Sequence, residues 1–89
     1  MHPDDMTELR AICREIVGQD KSTEAWRASQ SDDEFQTEHF CGGYEALEDA
    51  FCFSYYSRSE GELWFQVTTE EVRAIASGTL PEVSLRPAE

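Results

Sequence analysis

The residues best suited to chemistry are His39-Phe40-Cys41, followed directly by Gly42-Gly43. A cysteine near a histidine is the pairing that yields a thiolate nucleophile, and adjacent glycines can present backbone N–H groups to an oxyanion. The spacing argues against that use. Positions i and i+2 diverge around a helix and point to opposite faces of a strand. No nucleophile motif surrounds them, and a helix-ending turn accounts for the two glycines. Adding Cys13 and Cys52 to His39 and Cys41 supplies zinc-ligand types, but none of the paired spacings of a structural site. Buried or half-buried thiols are the plainer expectation. Carboxylate neighbours such as Asp32 with Asp33, Glu48 with Asp49 and Glu70 with Glu71 arise from composition. Acid–base chemistry needs two groups whose surroundings push their pKa values apart, and these lie at helix starts and turns. The sequence holds no calcium-loop, P-loop or GxGxxG pattern. The expectation is a protein that is not an enzyme, with no cofactor and no metal.

Composition narrows the remaining classes. The chain has 89 residues, with seven Lys plus Arg against nineteen Asp plus Glu and a net charge of −12. That length suits one small domain over residues 1–89, with Pro87 to Glu89 frayed. Hydrophobic residues at 39% are too many for a disordered acidic chain. Nucleic acid is excluded, because phosphate binding rests on clustered Lys and Arg, and anionic membrane surfaces are disfavoured for the same reason. A basic protein partner fits the charge. Acidic excess runs through both halves of the chain, so no detachable tail exists. No apolar run approaches the ~20 residues of a membrane helix, and the acidic Met1-His2-Pro3-Asp4-Asp5 start is unlike a signal peptide. Three cysteines without CxxC spacing argue against a disulfide framework. The cytoplasm is the default compartment.

The elements that must position any site follow from periodicity. Leu9, Ile12, Cys13, Ile16 and Val17 form one apolar stripe, which predicts a helix over Met6 to Val17 with Asp4, Asp5 and Glu8 near its positive end and Gly18 at its stop. Ser22 or Thr23 caps a short helix carrying Trp26. Ser31 with Glu34 forms a capping box that predicts a helix to about Phe40, ended by Cys41-Gly42-Gly43. Tyr44 to Asp49 is ambiguous between a helical turn and a strand entry. Residues 50–56 and 63–67 alternate, which predicts an antiparallel hairpin. Its core face carries Phe51, Phe53, Tyr55, Leu63, Phe65 and Val67, and its other face Cys52, Ser54, Tyr56, Trp64 and Gln66. Thr68 with Glu71 caps a last helix that Gly78 closes. Val83 and Leu85 alternate in a third short strand or an extended tail. The fold class is α+β: an N-terminal helix, a short middle helix, a hairpin, a C-terminal helix and a third short strand.

Nine of the ten aromatic residues lie between Phe35 and Phe65, and most of these serve the core. Tyr56 and Trp64 differ, because alternation sends them to the opposite face. Beside them Glu60 and Glu62 supply negative potential. These four residues are the candidate partner-binding site of a non-catalytic acidic module. Small acidic proteins that neutralise a toxin or nuclease share this size and charge, which makes an inhibitor or immunity-type role the analogous reading. The alternative is a small homo-oligomeric structural protein, and a Cys/His-dependent enzyme stands behind both. Trp64 covered by Val83 and Leu85 is the competing reading of the aromatic patch.

Overall fold

The computed structural model describes residues 1–29 and 34–87. Helices α1 (Pro3–Gly18) and α2 (Thr23–Ser29) precede strands β1 (Phe35–Gln36), β2 (Phe40–Glu45), β3 (Ala50–Ser57) and β4 (Gly61–Val67); α3 (Thr69–Ser77) and β5 (Arg86–Pro87) follow. The five strands form one antiparallel sheet in the order β1-β2-β3-β4-β5. The fold is α+β. No described helix is long and apolar enough to cross a membrane.

Local signals account for the helices. Pro3 sits at the first helical position of α1, where a missing N–H costs nothing, and the His2 imidazole Nδ1 accepts from Asp4 N at 3.1 Å. The buried stripe is Met6, Leu9, Ile12, Cys13 and Ile16, whereas Val17 at its end is exposed. Gly18 stays helical, and the reversal falls instead at Asp20, with φ of 51°. Ser22 Oγ accepts from Ala25 N at 3.1 Å and starts α2. The Thr68–Glu71 capping box forms with both reciprocal bonds, and Gly78 ends α3 in the left-handed region at φ 82°.

The segment before Tyr44 departs from its predicted helix. Ser31 to Asp33 of the expected capping box lie outside the described residues. Beyond them Phe35–Gln36 is strand, and Cys41-Gly42-Gly43 runs through the middle of β2. Phe40, Gly42 and Tyr44 alternate onto the core face, opposite Tyr55, Phe53 and Phe51. Gly42 hides that period because it has no side chain. Its role is close approach rather than chain reversal: a Cβ there would lie 2.1 Å from the Cys52 carbonyl oxygen and 2.8 Å from Phe53 Cα. Gly42→Ala is therefore expected to cost about 1–3 kcal/mol, since backbone must shift to admit a methyl group. Urea unfolding checks this; an unchanged midpoint would mean that β2 tolerates a side chain there.

The helices cover one face of the sheet. Trp26 of α2 packs edge-on to Phe51 at 5.0 Å between ring centroids and lies 6.4 Å from Tyr44. Phe40 stacks on Tyr55 at 5.0 Å and Phe53 on Phe65 at 5.5 Å. With the stripes of α1 and α3 these rings form one apolar cluster, against which Leu80, Val83 and Leu85 rest. Arg27 anchors α2 to the β2–β3 turn through two bonds to Asp49, Nε at 2.9 Å and Nη2 at 2.8 Å. The Tyr44 hydroxyl also donates to Asp49. These donors hold the Asp49 carboxyl down to about 2.

The third short strand exists, but its pairing is displaced. Leu63 pairs with Pro87 and Trp64 with Arg86, while Val83 and Leu85 point into the core cluster. Pro87, expected to fray, is part of this ladder. Tertiary packing of Leu85 fixes the chain just before it.

Candidate functional site

Two sites emerge, one foreseen from alternation and one assembled only by folding. The first is the sheet face away from the helices. Strand alternation places Cys52, Ser54 and Tyr56 of β3 there with Glu62, Trp64 and Gln66 of β4. The register sets Tyr56 opposite Glu62 and Ser54 opposite Trp64. Cys41 lies opposite Ser54 and Arg86 opposite Trp64, so a row of four side chains crosses β2 to β5. Tyr56, diagonal to Trp64, is 44% exposed, the largest exposure among the aromatics assigned to either sheet face. Trp64 is half-buried. Val83 and Leu85, which the competing reading placed over it, pack against the core instead, and the Arg86 guanidinium carbon sits 5.0 Å over the indole. Glu62 belongs to β4 itself. Glu60 remains in the turn, where its N–H donates to Ser57 Oγ at 2.8 Å.

The second site lies at the N-terminal end of α1. Asp5 is fully buried. The Tyr55 hydroxyl donates to its Oδ2 at 2.5 Å, and Arg58 Nη2 donates to its Oδ1 at 3.1 Å. His39 Nδ1 is 3.5 Å from Asp5 Oδ1 and 2.8 Å from Glu8 Oε1. The backbone N–H of His39 donates to Glu8 Oε2 at 2.9 Å, and the Thr37 hydroxyl donates to the same oxygen. One helical turn thus holds the β1–β2 turn, β3 and the β3–β4 turn together. Burial works against the Asp5 carboxylate, but the Arg58 and Tyr55 hydrogen bonds and the nearby cations outweigh it and hold its pKa below the ordinary 3.8. Burial likewise opposes the Glu8 charge, and Thr37 and His39 overcome it. The Glu8 hydrogen bond raises the His39 pKa above 6.5, aided by the charges of Asp5, Glu8 and Glu38. Burial, then Asp5, pushes the Tyr55 hydroxyl up to about 12.

One feature of the sequence points to this cluster. Asp5 stands four residues before Leu9, in line with the buried stripe rather than beside it. A carboxylate on an apolar stripe needs a buried partner. The partners themselves, from residues 39, 55 and 58, carry no local mark.

Donor atoms of Asp5, Glu8 and His39 lie within 4.8 Å of one another, a grouping of metal-ligand type. Glu8 and His39 already satisfy each other, Tyr55 and Arg58 satisfy Asp5, and the Arg58 guanidinium on Asp5 repels a second cation. The Cys/His sets weighed from the sequence are not assembled among the described residues. His39 turns toward α1, Cys41 and Cys52 lie on the outer sheet face, and Cys13 is inside the core, where burial pushes its thiol up to about 12. Burial raises the Cys52 thiol as well. No disulfide joins the three cysteines.

The cluster sets a pH dependence. A raised His39 pKa contributes stability that is complete below about 6.5, the unfolded value, and is lost as pH rises through the folded one. Lowered Asp5 and Glu8 values contribute stability present above 3.8 and 4.5, lost as pH falls through their folded pKa values. The two limits leave a maximum between about pH 5 and 6.5. Thermal melts from acid to mild alkali should show that maximum, and His39→Gln should flatten the decline on its alkaline side. An identical alkaline decline in His39→Gln would remove this cluster as its source.

Compared with protein-family models, curated proteins and solved structures, the chain matches none of them.

Proposed function

We propose that this chain is a non-catalytic binding module whose outer sheet face engages a basic protein. The observation that carries the reading is the one-sided packing of the sheet. All three described helices lie on one face, while the other presents Tyr56 and Trp64 next to Glu62, with Glu60 in the adjoining turn. Tyr and Trp supply contact area at little entropic cost, which is why they anchor interfaces. A net charge of −12 selects cationic partners and speeds their encounter. The same sign disfavours nucleic acid and anionic lipid. An inhibitor or immunity-type role, in which an acidic surface blocks a basic toxin or nuclease, is the form of this function closest in size and charge.

The test is paired affinity capture with the parent chain and Trp64→Ala, each checked for folding by circular dichroism. A basic protein held by the parent, released by salt and weakened by about 2 kcal/mol in Trp64→Ala supports the reading. The loss should fall mainly on the off-rate. Glu60→Gln with Glu62→Gln should instead slow association and reduce its salt dependence. Equal retention by parent and Trp64→Ala would discard this face as the site. Parent sedimentation that rises with concentration and is lost in Trp64→Ala would assign the face to self-association instead.

A further inference from the structure

The outer face already holds a cation, and it comes from the chain itself. Seven basic residues are distributed unevenly over the fold. Arg10 and Arg14 belong to α1, Lys21 to the α1–α2 link, Arg27 to α2, Arg58 to the β3–β4 turn and Arg73 to α3. Arg86 alone lies on the outer sheet face, where its guanidinium covers the Trp64 ring. From the juxtaposition of Arg86, Trp64 and the edge of β4 we infer that residues 86–87 are a displaceable internal stand-in for the partner. The partner presents an arginine on an extended segment, which takes the position of Arg86 over Trp64 and pairs with β4. The inference rests on the proposed binding role of this face.

Three properties make β5 the replaceable element. It pairs with only two residues of β4, although that strand runs for seven. One of its two residues is Pro87, which has no N–H to donate to the ladder. Both residues are exposed, whereas Val83 and Leu85 just before them rest on the core. The segment is therefore anchored up to Leu85 and lightly held beyond it. An incoming strand would restore every interaction that residues 86–87 give up. It would add backbone bonds along the remainder of the β4 edge, the usual source of affinity in strand addition. The side chain at the Arg86 register position would supply specificity, because a planar guanidinium stacks on an indole better than an ammonium does. Glu62, two residues before Trp64 on the same face, favours a cation there and disfavours an acidic or neutral competitor.

The probe is a synthetic β-prone pentapeptide, Thr-Val-Arg-Val-Thr, with a counterpart carrying glutamine at its centre. Both are titrated against the full chain and against Arg86→Gln, followed by the Trp64 indole resonance. Removing the internal cation raises the fraction of chains with Trp64 open, so Arg86→Gln should bind the arginine peptide about threefold to tenfold more tightly than the parent. The glutamine peptide should bind both chains at least about tenfold more weakly than the arginine peptide. A change below twofold between parent and Arg86→Gln, or equal binding of the two peptides, overturns the inference. So does an arginine peptide that leaves the Trp64 resonance unmoved at millimolar concentration. These outcomes are separable from failure of the broader reading: Trp64-dependent capture of a basic protein would then persist without arginine selectivity.

Discussion

Phe53→Ala is expected to leave the protein largely unfolded at physiological temperature. Phe53 is 2% exposed, stacks on Phe65 at 5.5 Å and rests against the bare backbone of Gly42. Removing a buried phenyl group costs ~3–5 kcal/mol, counting the lost transfer energy and the cavity left behind. The site is poorly placed to collapse, because its neighbours are held by strand register on both sides: Gly42 on β2 and Phe65 on β4. A small domain has ~5–15 kcal/mol of stability at most, and a chain this short lies near the lower end. Urea titration followed by far-ultraviolet circular dichroism measures the effect. A midpoint close to that of the parent would mean that Phe53 does not occupy the core.

Asp5→Ala should be the most damaging change of a charged residue, at about 2–4 kcal/mol. The cost comes from what remains. The Tyr55 hydroxyl, buried with Asp5, loses its acceptor, and His39 and Glu8 lose a neighbour that fixes their geometry. Arg58 adds little, because it is half exposed and water can replace the carboxylate. This origin has a separate signature. Tyr55→Phe in the Asp5→Leu background removes both partners of the hydrogen bond, so part of the loss should return relative to Asp5→Leu alone. A double-mutant cycle with no coupling between positions 5 and 55 would mean that the buried bond contributes nothing of its own.

Local sequence determined the elements whose physics is local. The α1 stripe, the Ser22 start of α2, the Thr68–Glu71 box and the β3–β4 alternation each lie within a few residues, and each forms where the spacing places it, save that Val17 at the end of the α1 stripe is exposed. Alternation also assigned Tyr56 and Trp64 to the face away from Phe53 and Phe65, since the strand period leaves no other choice. Tertiary structure decided the rest. Gly42 and Gly43 read as punctuation because a missing side chain erases a period of two, and only the backbone of Cys52 and Phe53 on the neighbouring strand shows why glycine stands at position 42. Asp5 read as a helix-dipole residue because its partners are remote: Tyr55 is 50 positions away and Arg58 is 53, while His39 lies 31 positions from Glu8. The cover on Trp64 was likewise a matter of register, fixed when Leu85 reached the core and carried Arg86, rather than Val83 or Leu85, over the ring. Periodicity records which face a residue takes along its own segment; which distant group meets it there is settled by the packing of those segments against one another.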